Sequence, residues 1–158
     1  MQFTNRALAH NKNTMSYVRI WLHCVWGTKN RIPFLNKNNK NTILNHILEN
    51  GRGKGIYIDF INGHKEHIHC TISLNAEQAL SKIIQLIKGE SSYWVNKNKL
   101  VQGKFEWADE YFAVSVSESQ INNVRDYIKN QENHHKIKTW EDEYHEFIEK
   151  YGFKKCKG

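Results

Sequence analysis

A single proline, Pro33, interrupts the 158 residues of this chain. No apolar run approaches the ~18–20 residues that a membrane span requires, and no secretory signal is visible. Cysteine is scarce. Cys24, Cys70 and Cys156 are widely spaced and odd in number, which argues against a disulfide framework or a cysteine-built zinc site and fits a reducing cytoplasm. Internal repeats and linker-like stretches are also missing, so at this length one domain with its own core is expected. Acidic residues number 16 against 23 Lys and Arg, giving a net charge of +7 and a pI near 9.3. A basic surplus spread along the chain suits a polyanionic partner, nucleic acid before membrane surface. The expectation is a cytoplasmic protein without a membrane partner.

The chain divides into a polar, patternless leader at 1–14 (with Met15 a candidate true start), a domain at 15–153 and a loose tail at 154–158. Tyr17 to Trp26 is β-rich and apolar on both faces, as for a central strand. Asn36 to Asn50 carries the helical stripe Ile43, Leu44, Ile47 and Leu48, stopped by Gly51. Ile56 to Asn62 and Glu66 to Leu74 read as two strands of a hairpin around Gly63-His64-Lys65-Glu66. Asn75 should cap a helix with Ala79, Leu80, Ile83, Ile84, Leu86 and Ile87 inward, continuing with a kink through Lys88–Trp94. Phe105 to Ser117 holds the last strand. Ser117 and Gln120 have capping-box spacing and open a helix to about Asn133, buried through Ile121, Val124 and Ile128. Thr139 and Asp142 form a second such pair. They start a helix with Trp140, Tyr144, Phe147, Ile148 and Tyr151 on one face, read as core or dimer contact, with Gly152 at its end. The order β-α-β-β-α-β plus two helices predicts an α+β fold: a ferredoxin-like split βαββαβ antiparallel sheet with additional C-terminal helices. Its first and third strands would be central. Two helices would cover the Ile68, Cys70 and Ile72 face, leaving the other face to a later helix.

The third strand contains Glu66-His67-Ile68-His69-Cys70. Side chains alternate along a strand, so His67 and His69 point the same way, roughly 6.5–7 Å apart, close enough to share one cation. Among nine histidines a lone His-x-His carries little weight. Sixty residues on, Tyr127 and Gln131 stack one helical turn apart, beside the buried stripe.

The ordered set, His-x-His on a central strand followed by a Tyr-x-x-x-Gln helix, resembles the HUH single-tyrosine transposases of insertion sequences that move as single-stranded DNA. The resemblance spans Met15 to about Phe153. Further support comes from Val25-Trp26-Gly27-Thr28-Lys29, Ile61-Asn62-Gly63 and Tyr127-Ile128-Lys129-Asn130-Gln131 with the following Glu132-Asn133-His134-His135. It implies a DNA transposase that cuts and rejoins single strands through a phosphotyrosine, which conserves the bond for a later 3′-hydroxyl to reverse. Tyr127 would be the nucleophile, with His67, His69 and Gln131 holding a divalent cation, Mg2+ in the cell. Imidazole donors suit Mn2+ better, so Mn2+ should substitute. The partners implied are single-stranded DNA with hairpin ends and a second subunit of a homodimer. Lys29, Arg31, Arg52, Lys54 and Lys88, in loops or at helix ends, are candidates for backbone contacts. Tyr93 and Trp94 are candidates for base stacking.

His64, in the turn, reads as a surface residue. His134 and His135, at a helix end, read as dipole or DNA partners in preference to metal ligands. Glu66 is either a partner orienting an imidazole or a simple turn residue. Three other functions compete: a domesticated relative processing repeat hairpins, a non-catalytic RNA-binding module on the same core, and a small metal enzyme acting on a phosphate. Only the transposase readings require Tyr127.

Overall fold

Four stretches of alternating side chains pair into one antiparallel sheet in the computed structural model, which describes residues 17–152. They are β1 (Ile20–Gly27), β2 (Tyr57–His64), β3 (His67–Leu74) and β4 (Phe112–Val116), in the order β2-β3-β1-β4. The two most deeply buried strands, β1 and β3, take the centre, where both faces are covered. The leader, the tail with Cys156 and the outer domain limits lie outside the described residues.

One face of the sheet carries Cys24, Trp26, Ile68, Cys70 and Ile72. Helix α1 (Lys40–Gly53) lays Ile43, Leu44 and Ile47 against it, and α2 (Leu80–Lys97) adds Ile83, Ile84, Ile87 and Val95. Burying each such side chain contributes about 1.5–3 kcal/mol, so this layer supplies most of the driving force for folding. The kink expected after Ile87 does not occur. α2 runs through Gly89 unbroken, and the Ser91 hydroxyl donates back to the Ile87 carbonyl. The last strand lies within the expected stretch, at its C-terminal end. Phe105 and Trp107 are drawn into the core, leaving only a bridge between Trp107 and Thr28 before β4 begins.

The opposite face receives the C-terminal helices, α3 (Ile121–Lys129), α4 (Gln131–His134) and α5 (Trp140–Tyr151). The Ser117–Gln120 capping box does not form. Ser117 pairs with the Ser119 hydroxyl, its carbonyl accepts from Gln120 N, and the helix starts at Ile121 behind this turn. The single helix expected up to Asn133 is split at Asn130, for a reason that lies on β2. Asn62 Nδ2 donates to the carbonyls of Ile128 and Lys129, satisfying groups that would have continued the helix. A bulge at Asp59 turns its carboxylate to Arg125, which grips it through Nε and Nη2 at 2.6 and 2.9 Å. Lys40 of α1 reaches the Gly63 carbonyl at 3.2 Å and Glu132 of α4 at 2.6 Å. These three ties fix α3 and α4 over the β2–β3 edge. The Thr139–Asp142 capping box does open α5, and Gly152 closes it with φ 57°.

Gly63 is held tightest. A Cβ there would stand 2.5 Å from the His67 carbonyl oxygen and 2.7 Å from Ile68 Cγ2. Gly63→Ala is therefore expected to cost about 1–3 kcal/mol, as overpacking does, and to push β2 away from the start of β3. Gly53, in α1, has nothing within 4 Å of its Cβ position, so Gly53→Ala should be neutral or stabilising when both variants are unfolded in urea. Equal midpoints for the two variants would contradict this packing.

Candidate active site

Alternation along β3 sends His67 and His69 to the face opposite Ile68, Cys70 and Ile72, as the sequence predicted. Both are fully buried, with ring centroids 5.2 Å apart. From β1, His23 joins the same face, and its Nε2 lies 3.0 Å from His69 Nδ1. A proton on His69 Nδ1 shared with His23 leaves His69 Nε2 as a lone pair facing inward. Burial lowers the pKa of His23 to about 4 and that of His69 to about 3, so both rings are neutral at pH 7.

The tie between Asn62 and the end of α3 sets Tyr127 and Gln131 over this pair. The Tyr127 ring lies 5.6 Å from that of His69, and Gln131 is fully buried. The break at Asn130 also carries the chain inward as far as His135. Its Nε2 stands 3.1 Å from Gln131 Oε1, and its Nδ1 donates to the Lys138 carbonyl at 3.0 Å. The sequence reads His135 as a dipole or DNA partner at a helix end. Its side chain is instead buried in the site, because α4 ends after one turn and folds back under α5. His64 keeps to the rim, stacked on His135 at 4.8 Å. Glu66 comes within 3.4 Å of His67 Nδ1, the position of a partner that orients the ring.

α5 closes the site from above. Trp140 stacks on His67 at 4.2 Å, and Phe147 meets His23 and His69 edge to face or tilted. Between them Glu143 inserts its carboxylate, 3.5 Å from His67 Nε2, 3.3 Å from His69 Nε2 and 3.0 Å from His135 Nε2. Tyr127 donates its phenolic hydrogen to Glu143 Oε1. The face of α5 is thus rotated from the one expected: Trp140, Glu143 and Phe147 are buried, and Tyr151 is exposed. Sequence reasoning missed Glu143 and His23. The signal was there for Glu143, which sits three residues from Trp140 and four from Phe147, on the same helical stripe.

The electrostatics follow from this burial. Desolvation and the Glu143 charge push the Tyr127 phenol well above its ordinary value. Burial opposes charge on Glu143, yet the imidazoles of His135 and His69 beside it outweigh that and hold the carboxyl well below the usual range. Burial likewise opposes charge on His135, but the Glu143 carboxylate beside it raises that ring. Both nitrogens of His67, His69 Nε2, Gln131 Nε2 and Glu143 Oε2 are buried without a hydrogen-bond partner. Buried polar atoms are ordinarily satisfied, so this convergence marks a place built for something else. Ligand atoms from His67, His69, His135 and Glu143 lie within 4.8 Å of one another. Nitrogen and oxygen donors so arranged fit a divalent cation.

The basic candidates are dispersed. Lys29 and Arg31 lie on the turn after β1, Lys29 near Glu106 and Arg31 paired with Glu141 of α5 and set over Tyr144. Lys88 donates to the carbonyls of Asp109 and Glu110. Arg52 and Lys54 flank the α1–β2 connection, which enters β2 opposite Ser73, at the other end of β3 from His67. Trp94 is already stacked on His46 at 3.8 Å, whereas Tyr93 is exposed. Among the described residues no helix is long and apolar enough to cross a membrane.

Comparison with known proteins gives a consistent picture. The sequence model of the family described as "Transposase IS200 like" matches residues 16–131. Solved structures share the fold, two of them transposases by description. One is a candidate transposase from Deinococcus radiodurans R1, with TM-score 0.60 and 21% identity over 76% of this chain and 97% of that one. The other is a REP-associated tyrosine transposase bound to a REP hairpin, with TM-score 0.55 and 16% identity over 73% of this chain and 68% of that one. No curated protein matches the chain.

Proposed function

We propose that this chain, which belongs to the family of IS200-like transposases, cuts and rejoins single-stranded DNA through a covalent bond to Tyr127. The observation that carries the reading is the placement of that phenol by α3 against two buried histidines of β3 within one chain. Tyr127 Oη would attack the scissile phosphorus and the 3′-oxygen would leave as a hydroxyl, conserving the bond as a 5′-phosphotyrosine. A 3′-hydroxyl from another end would reverse the step. His67, His69 and Gln131 would hold the divalent cation, Mg2+ with Mn2+ as substitute. When bound, the cation polarises the phosphate and neutralises charge on the departing oxygen. His23 positions His69 through the 3.0 Å contact, and the Glu66 carboxylate lies 3.4 Å from His67 Nδ1.

The substrate would be a single strand with hairpin ends, a reading supported by the shared fold with a protein solved on a REP hairpin. Lys29, Arg31, Arg52, Lys54 and Lys88 are proposed for its backbone. A homodimer remains part of the proposal, although Tyr127 already faces the histidines of its own chain. The RNA-binding alternative loses ground, because the sheet face that would stack bases is covered by α5.

End-labelled single strands from the DNA flanking the gene, incubated with protein and Mn2+ or Mg2+, provide the test on a denaturing gel. The expected result is a metal-dependent covalent band that disappears in Tyr127→Phe. Hairpin binding without any adduct, unchanged in that variant, would remove the catalytic assignment.

A further inference from the structure

We propose that the site has a second, closed state in which His67, His69, His135 and Glu143 bind Zn2+ as a four-coordinate centre that shuts out DNA. The exclusion of DNA rests on the function proposed above; the zinc centre does not.

Three observations converge on it. The first is the donor set: three imidazoles and one carboxylate are borderline-soft donors that serve zinc well and Mg2+ poorly, since Mg2+ demands an oxygen-rich octahedron. The second is spacing. Zinc bonds of about 2.0–2.1 Å imply tetrahedral edges of about 3.3 Å. Glu143 Oε2 stands 3.5 Å from His67 Nε2 and 3.0 Å from His135 Nε2, and its Oε1 stands 3.3 Å from His69 Nε2. With one ligand atom from each residue all four lie within 4.8 Å, so that binding draws them together slightly. Buried atoms among them, His67 Nε2, His69 Nε2 and Glu143 Oε2, lack any hydrogen-bond partner.

The third is the outer support. Two of the three imidazoles, His69 and His135, are held through Nδ1, and all three bring Nε2 to the Glu143 carboxylate. His67 Nδ1 faces Glu66 at 3.4 Å, His69 Nδ1 faces His23 at 3.0 Å, and His135 Nδ1 donates to the Lys138 carbonyl at 3.0 Å. Metal-bound histidines are held as His69 and His135 are, and a cluster assembled by packing alone has no reason to turn three Nε2 atoms onto one carboxylate.

Closure follows from the ligand count. Four protein ligands leave no open position, the mark of a holding site as opposed to a catalytic one. The Glu143 carboxylate also occupies the hydroxyl of Tyr127, where the incoming phosphate would have to sit. The family match ends at Gln131, so His135 and Glu143 both come from the segment beyond it. One set of ligands, with Gln131, would serve the reaction; the other, with His135 and Glu143, would hold the site shut.

The test uses the full chain stripped of metal with a chelator. Zn2+ is titrated against a chromophoric chelator, and Co2+ serves as the spectroscopic probe. One tight ion per chain is expected, with the intense visible bands of four-coordinate Co2+. Glu143→Gln and His135→Ala should each weaken zinc by more than about 100-fold, beyond what losing a supporting hydrogen bond does. Gln131→Ala and Tyr127→Phe should leave it within a few-fold. Circular dichroism confirms that each variant is folded, and the wild-type Co2+ spectrum stands whether or not a variant folds. Six-coordinate Co2+, the absence of tight zinc, or zinc affinity unchanged in both Glu143→Gln and His135→Ala would overturn the proposal. A Tyr127 adduct formed with Mn2+ but without a tight zinc site sinks this inference alone. A zinc site without any adduct sinks the DNA-cleaving reading alone.

Discussion

Glu143→Ala is expected to lower the unfolding free energy of the metal-free protein by about 3–5 kcal/mol, the cost of removing one partner from a buried charged network. The carboxylate is 1% exposed and is the shared partner of Tyr127, His67, His69 and His135. Truncation would leave those groups facing a void, with neither water nor charge to satisfy them. Glu143→Gln keeps the volume and an acceptor oxygen, so its loss should be smaller. Urea titrations at pH 7 separate the two. A loss below about 1 kcal/mol for the alanine variant would mean that Trp140 and Phe147 alone hold α5 to the sheet. The same substitution should act oppositely on chemistry. Glu143 places a negative charge where an anionic phosphate must approach, and it raises the phenol that must lose its proton. Two like charges about 4 Å apart repel by about 4 kcal/mol at an effective dielectric constant near 20, and about 1.4 kcal/mol is already tenfold in rate. Adduct formation per folded molecule, measured in a single turnover with Mn2+, should therefore rise at least about tenfold in Glu143→Gln. A slower variant would recast Glu143 as the base that takes the tyrosine proton.

The outcome for Glu143 also shows where reading the sequence succeeds and where it stops. Periodicity placed Ile43, Leu44 and Ile47 against Ile68, Cys70 and Ile72, because burying them is a local matter of face and period. Element order yielded the β2-β3-β1-β4 sheet. The His67/His69 pair was legible because a strand has a period of two, which fixes direction without any tertiary knowledge. The break at Asn130 was not, since it depends on Asn62, a β2 residue 66 and 67 positions from the carbonyls it captures. Its consequence, the folding of His135 into the site, was hidden with it. Helix α5 was recognised through its apolar spacing, but assigning its face to Trp140, Tyr144 and Phe147 passed over the acidic residue on the buried stripe. Hydrophobicity alone rejects a buried glutamate. Only the histidines opposite explain it, and those come from β3 and from the turn after α4.

The metal-free protein should also lose stability steeply as pH falls from about 6.5 toward 4. His23 and His69 are neutral in the folded state, with burial lowering them to about 4 and about 3. Unfolded, each takes up a proton near pH 6.5, so the unfolded chain binds more protons below that point and stability rises with pH. Each such group contributes about 1.4 kcal/mol per pH unit, and the two together about 2–3 kcal/mol between pH 6 and 5. His135 has the opposite sign. Its folded pKa is raised, so its contribution is complete below about 6.5 and fades only as pH climbs through the folded value, outside the acid window. Glu143 acts lower still: its depressed carboxyl stabilises the fold above the ordinary carboxylate range and loses that contribution as pH falls further. The four groups therefore act in successive windows, and between pH 6 and 5 the slope belongs mainly to His23 and His69, with a smaller addition from His64, which burial also lowers. Replacing His23 by Gln, which keeps a polar partner for His69 Nδ1 but cannot titrate, should cut that slope by about half. Urea midpoints collected at half-unit steps in the presence of chelator give the measurement. A flat profile from pH 6.5 to 5 would mean that water reaches these rings and that the face beneath α5 is open. The metal pair would then lie in solvent, and neither the raised phenol nor the unpartnered imidazoles could be consequences of burial.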